Sequence, residues 1–176
     1  LKCDPYELLM KELPEEPSGL MVLPYFTPSG TPYFDVNVKG TILGLDMSVT
    51  RMEMLKALLE GVAFEIKLNI EILKQSGYEV KELRIIGGGS KSLKHVQLKA
   101  DVAGMPITVL DVAEAGCMGV AMLAKAHNDK TDVTDISRKW VKPVSVVYPE
   151  KSSHYNARFK QYRELYHSLS NIYLNM

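Results

Sequence analysis

The sequence predicts an α/β domain in which helices cover a sheet. Short apolar, β-branched runs alternate with amphipathic helical stretches, the pattern of layered α/β architecture. One stretch, 51–75, is too long for a strand and carries apolar residues near a 3.6-residue period. The 176 residues are 46% hydrophobic and 24% charged, the balance of one globular domain large enough to bury a core.

Taken in order, Asp4-Pro5-Tyr6-Glu7 opens a short helix. Asp4 caps it, Pro5 fits the first turn and Glu7 stands three residues after the cap, while Pro14 and Pro17 end it. Leu20-Met21-Val22-Leu23 reads as a short buried strand. Residues 24–44 read as a packed loop, with Tyr25, Phe26, Tyr33 and Phe34 expected away from solvent. Thr50 and Glu53 form a capping box for the helix 51–75. Its expected inner face is Leu55, Leu58, Leu59, Val62, Phe64, Ile66, Ile70 and Leu73, and Gly77 stops it. Gly61 costs about 1 kcal/mol against Ala inside a helix, so it is expected where another element comes close.

Leu83-Arg84-Ile85-Ile86 is the next strand, broken by Gly87-Gly88-Gly89. Ser90 or Ser92 starts a helix to about Val102, ended at Gly104. Pro106-Ile107-Thr108-Val109-Leu110 is a strand, 116–127 a small-residue helix and 129–141 a polar, short-helical stretch. The tail, 152–171, is an amphipathic helix with Tyr155, Phe159, Tyr162, Tyr166, Leu169 and Tyr173 along one face. Ile85, Ile86, Ile107 and Val109 are expected to be buried together with the apolar face of 51–75.

Lys plus Arg number 21 and Asp plus Glu 21, so the net charge is zero. That argues against a nucleic-acid backbone or an anionic membrane as partner, since both are bound through a basic surplus. No apolar run approaches the roughly 20 residues of a membrane span. Leu1-Lys2-Cys3-Asp4-Pro5 lacks the regions of a signal peptide and lacks Met, so a cytoplasmic, processed or excised piece is expected. Cys3 and Cys117 fit no zinc spacing and are read as reduced thiols. His95, His127, His154 and His167 form no ligand pair and are read as surface or helix-face residues, so no metal site is expected.

The stretch Ile85-Ile86-Gly87-Gly88-Gly89-Ser90-Lys91-Ser92 carries chemistry. Glycines let backbone amides approach a ligand, and a helix start offers unpaired N–H groups at a positive dipole end; together they suit a phosphate. Ser90 and Ser92 either donate hydroxyls to it or cap the helix; the alternative is a tight turn that merely needs positive φ. The P-loop pattern GxxxxGK[ST] is absent. The dinucleotide pattern GxGxxG is half present, in Gly87 and Gly89, with Ser92 in the third place and Asp111 about 20 residues on. A dinucleotide-binding module of an oxidoreductase is therefore a second reading, against which stands the single clear strand that follows the turn. Gly116 and Gly119 leave one face of their helix nearly bare, where another helix, a strand or a ligand is expected to pack tightly, a helix being the favoured reading.

The chain resembles the C-terminal half of FGGY-type carbohydrate kinases, the group of xylulose, gluconate and glycerol kinases. The resemblance is carried, in order, by Gly19-Leu20-Met21-Val22-Leu23-Pro24-Tyr25-Phe26, Thr31-Pro32-Tyr33-Phe34-Asp35 and Lys39-Gly40-Thr41-Ile42-Leu43-Gly44-Leu45. Leu58-Leu59-Glu60-Gly61-Val62-Ala63-Phe64 follows, then Gly87-Gly88-Gly89-Ser90-Lys91-Ser92, Gln97, Ala100-Asp101-Val102 and the stretch 114–121. It implies an actin-like, ribonuclease-H-like ATPase fold, with residues 1–176 forming a single, partial nucleotide-side domain that lacks its first strands. It implies ATP with Mg²⁺, and a sugar or polyol bound mainly by the preceding half. Gly87, Gly88 and Gly89 would lie beside the ribose and α-phosphate, with Ser90 in the same turn and Ser92 and Leu93 near the adenine. The 116–121 helix start would belong to the interdomain connection. The catalytic aspartate and both main phosphate segments are expected upstream of Leu1, so no catalytic residue is assigned here; Asp35 and Asp101 fall in structural stretches. The loop reads Pro28-Ser29-Gly30-Thr31-Pro32 where xylulose kinases usually carry Glu-Arg before Thr-Pro, so xylulose specificity is not carried over. A sheet edge left bare by the missing strands would favour self-association. A non-catalytic actin-like nucleotide-binding domain is the third reading.

Overall fold

A computed structural model describes residues 5–112 and 114–175. The expected Asp4 cap and the Cys3 thiol lie outside those residues. Helix α1 (Pro5–Lys11) leads into the proline segment and then β1 (Met21–Leu23), which pairs antiparallel with β2 (Thr41–Leu43). β2 falls inside the stretch expected to be loop; at three residues it is too short to display a period of two. Of the four aromatics expected to be covered there, Tyr25 is buried and Tyr33 stacks on Tyr166 at 3.7 Å between centroids. Phe26 and Phe34 are instead exposed, on the outer side of that loop.

Helix α2 (Arg51–Gln75) is bounded as its sequence dictates. Thr50 accepts from the Glu53 amide and the Glu53 carboxylate accepts from the Thr50 amide. At the other end Gly77, at φ +88°, lets the Tyr78 and Gly77 amides donate to the Leu73 and Lys74 carbonyls. Then β3 (Leu83–Ile85), α3 (Leu93–Ala103) and β4 (Ile107–Leu110) form a strand–helix–strand unit with β3 and β4 parallel. Helices α4 (Ala115–Asp129) and α5 (Val133–Trp140) lead to β5 (Pro143–Val147), antiparallel to β4, and α6 (Ser152–Tyr173) closes the chain. β5 is absent from the sequence reading, which took Val141 as the end of a polar stretch. It is an edge strand opening on Pro143, a place where a strand tolerates proline.

The core is built around α2 and α6. Leu23, Phe64, Val102, Tyr155, Phe159 and Tyr162 pack in one cluster. A second cluster sets Val96 and Ala100 of α3 against Ile107 and Val109, with Ile85 partly buried beside them. Ile86 departs from expectation: it is 42% exposed, because β3 ends at Ile85 and the chain turns outward. Val62 and Leu73 of α2 are also exposed. The buried stripe of α2 instead includes Lys56, Glu60 and Lys67, each satisfied by hydrogen bonds. Counting apolar residues alone therefore set the inner face of α2 wrongly. Gly61 sits where close approach was expected: a β-carbon there would lie 2.6 Å from the Val22 carbonyl oxygen of β1.

Candidate nucleotide site at the glycine turn

The turn leaves the carboxyl end of β3, the edge of a parallel pair where α/β sheets place their ligands. Gly87 has φ +76°, a conformation only glycine adopts without strain, and its amide donates to the Val112 carbonyl just beyond β4. The fold therefore needs a glycine at 87. It does not need one at 88 or 89. Neither has positive φ; a β-carbon on Gly88 meets nothing within 4 Å, and one on Gly89 meets side-chain atoms only, Lys99 Nζ at 3.4 Å being the nearest. The backbone is bare at both positions, with open space at Gly88, beside a helix start.

The two serines are occupied locally. Ser90 Oγ donates to the Gly87 carbonyl at 2.7 Å, closing the 3₁₀ turn Gly88–Ser90. Ser92 caps α3, its Oγ accepting from the His95 amide at 3.4 Å. Leu93, the first residue of α3, is 64% exposed and presents an apolar side chain next to the turn. Gly87, Gly88, Gly89, Ser90, Ser92 and Leu93 thus form one stretch from the end of β3 to the start of α3.

Two residues to which sequence reasoning gave no role there stand beside Gly89. His95, read as a surface or helix-face residue, is 9% exposed, with Nδ1 2.5 Å from the Tyr6 hydroxyl and Nε2 buried without a partner. Burial, assisted by the Lys99 charge, pushes its pKa down to about 4, so the ring is neutral. Lys99, one turn further on, is partly buried, and burial lowers its pKa. The only sequence signal for either is their spacing, His95 and Lys99 at i and i+4 on the face that carries Ser92.

The two tempting carboxylates hold backbone. Asp101 Oδ1 accepts from the Glu150 and Lys151 amides at 2.6 and 3.0 Å, anchoring the approach to α6. Asp35 accepts from the Asn37 amide and from the Tyr166 hydroxyl. A polar cleft beside Asp101 is lined by Lys56, Lys94 and Lys151, but those ammonium groups already donate to carbonyls of Lys11, Pro14 and Glu15. Among the described residues no group of three or more His, Cys, Asp or Glu side chains is placed to hold a metal ion.

The second glycine helix departs from expectation. A β-carbon added at Gly116 or at Gly119 would meet nothing within 4 Å, and Val120 and Leu123 are exposed. α4 packs mainly on α5, so its small-residue face is bare rather than pressed against a helix. It starts just after β4, on the same sheet edge as the glycine turn.

A sequence profile of the FGGY family of carbohydrate kinases, C-terminal domain, matches residues 2–127. The chain is 30% identical over 157 residues to the xylulose kinase of Staphylococcus xylosus, covering 89% of this chain and 32% of that protein. It is 32% identical over 160 residues to glycerol kinase 2 of Saccharolobus solfataricus, covering 88% of this chain and 32% of that protein. Among solved structures, the xylulose kinase of Rhodospirillum rubrum superposes with a TM-score of 0.76 at 26% identity, over 95% of this chain and 34% of that one. The ligand-bound xylulose kinase of Lactobacillus acidophilus gives 0.82 at 24% identity, over 95% and 34%. The chain therefore spans about a third of the length of the curated relatives it matches. The dinucleotide reading is not supported. Two strands rather than one follow the glycine turn, and the second, β5, runs antiparallel where a doubly wound nucleotide fold continues parallel.

Proposed function

The chain belongs to the FGGY family of carbohydrate kinases, whose C-terminal domain and actin-like ATPase fold it carries, and we propose that it forms the adenosine side of an ATP-dependent sugar or polyol kinase. The observation that carries this reading is the glycine turn. Gly88 has side-chain space that the fold leaves empty, and Gly89 meets only the side chains of Lys99 and His95, at a helix start on the carboxyl edge of the sheet. A nucleotide fits that opening: amides approach its α-phosphate and ribose, and Leu93 offers apolar surface to the base.

The proposed reaction is in-line transfer of the ATP γ-phosphoryl group to a sugar hydroxyl. Such transfer is mostly positioning and charge stabilisation, with Mg²⁺ arriving as part of the Mg-ATP substrate and an aspartate accepting the hydroxyl proton. No residue of this chain is assigned as that base; the proposal places base and sugar contacts in an upstream half. This chain's own residues bind and orient the adenosine end. With exposed apolar residues around β2 and on α4, copies lacking such a half are expected to associate.

The test uses Gly88→Val in the kinase that contains this chain. A β-carbon at this position meets nothing within 4 Å, so melting should be unchanged while ATP affinity falls at least tenfold, about 1.4 kcal/mol. Calorimetry with ATP and NAD reads the outcome. Unchanged ATP binding by the folded variant, or tighter binding of NAD than of ATP, overturns the reading.

A further inference from the structure

Lys99 ends in an unusual place. Helical side chains lean toward the N-terminus of their helix, so its stem runs back past His95, and its Nζ stops 3.4 Å from where a Gly89 side chain would begin. That is the end of α3 at which peptide dipoles already sum to a positive partial charge. Other lysines of this chain reach a carboxylate: Lys94 reaches Glu15, Lys125 reaches Asp129 and Lys151 reaches Glu16. Lys99 has no hydrogen bond, ion pair or charged partner that favours its protonated form among the described residues. It is partly buried as well, which weakens screening by water.

His95 lies against the same position. Its Cε1 and Nδ1 come within 4.0 Å of the Gly89 site, it is about nine-tenths buried, and with Nδ1 held by the Tyr6 hydroxyl it brings no charge to offset Lys99. An unpaired ammonium, the edge of a neutral imidazole and an open helix start therefore lie around one bare glycine. Nothing negative among the described residues offsets them.

We propose that Lys99 contacts a phosphate of the nucleotide bound across the turn, and thereby makes the site select phosphorylated nucleotides over nucleosides. The proposal rests on the nucleotide reading of the turn. The helix start alone binds an anion through neutral amides; Lys99 adds a full charge that adenosine cannot use. The stem of Lys99 also fills space beside His95, so a purely structural role is the alternative to separate.

The experiment measures dissociation constants for ATP, ADP and adenosine in the kinase containing this chain, with Lys99→Met, Lys99→Arg and Gly88→Val. Methionine keeps the apolar stem and removes the charge. ADP and ATP should weaken about tenfold in Lys99→Met while adenosine stays within about twofold. Lys99→Arg should retain most of the affinity, and Lys99→Met should melt no lower than the parent, since an unpaired, partly buried charge is removed. Equal weakening of ADP and adenosine assigns Lys99 a structural role and overturns the proposal. So does unchanged ADP affinity in Lys99→Met when Gly88→Val still loses it. If Gly88→Val binds ADP normally, the turn itself is not the site, and Lys99 falls with it.

Discussion

Glu65 of α2 accepts hydrogen bonds from two phenols on one oxygen, Tyr25 at 2.8 Å and Tyr162 from α6. Burial raises its pKa above the ordinary carboxylate value despite both bonds, and it raises the phenols' pKa values as well. A carboxyl group whose pKa is raised on folding contributes stability that is present below its unfolded pKa. That stability is lost as pH rises through the folded value. Glu65→Gln keeps an oxygen able to accept from both phenols and does not titrate. Relative to this variant, the wild type should be more stable near pH 4 than near pH 7, as urea midpoints across that range will show. A gap that widens in the opposite direction contradicts the burial argument. His95 acts with the other sign. Its pKa is depressed to about 4, so its contribution is present above the usual histidine value and fades as pH falls toward 4. The two variants Glu65→Gln and His95→Phe should therefore shift the acid limb in opposite directions.

Among the elements, α2 organises the molecule by touching β1, α3 and α6 on different faces. Gly61 lies where α2 meets β1. Replacing a mid-helix glycine by alanine ordinarily stabilises by about 1 kcal/mol. Here the new methyl would lie 2.6 Å from a backbone oxygen that has no rotamer with which to yield. Overpacking costs about 1–3 kcal/mol, so Gly61→Ala should be net destabilising, with a lower urea midpoint and an unchanged slope. A more stable Gly61→Ala protein would mean that α2 and β1 separate without cost. The helix ends behave as local sequence requires: Thr50 with Glu53 at one end, Gly77 at the other. Capping is legible because all its partners lie within a few residues.

Across the molecule, the residues that hold the parts together are aromatic and come from both ends of the chain. Tyr155, Phe159 and Tyr162 of α6 lie against Phe64, and Tyr166 stacks on Tyr33. The body so formed presents the glycine turn and the bare face of α4 on one sheet edge, without an assigned base. The chain alone should therefore convert no sugar. Correct positioning of nucleotide, acceptor and base contributes roughly 7–11 kcal/mol of barrier lowering, and one wall cannot supply it. ATP should bind it only weakly, on the order of millimolar, because few contacts oppose the entropy of association. The assay is incubation with Mg-ATP and a panel of pentoses, hexoses and polyols, with detection of sugar phosphate. Turnover that disappears on Asp35→Asn or Asp101→Asn would place the base in this chain after all.

Features with local or periodic causes are legible in the order of the amino acids. These are the alternation of strands and helices, the capping box at Thr50, the stops at Gly77 and Gly104, the aromatic face of α6 and the strand–glycine–helix turn. Features that depend on distant partners emerge only when the chain is packed. β2 and β5 exist because β1 and β4 offer them a ladder, not because three to five residues carry a signal. The inner face of α2 includes Lys56, Glu60 and Lys67 because carbonyls, amides and side chains elsewhere satisfy them, which hydrophobicity cannot foresee. Gly87 and Gly88 read alike in the sequence, yet only the folded backbone gives Gly87 a positive φ and leaves Gly88 as unclaimed space. The same holds for Lys99: its residue type suggests a surface lysine, and its position against Gly89 arises only when α3 is built on the turn.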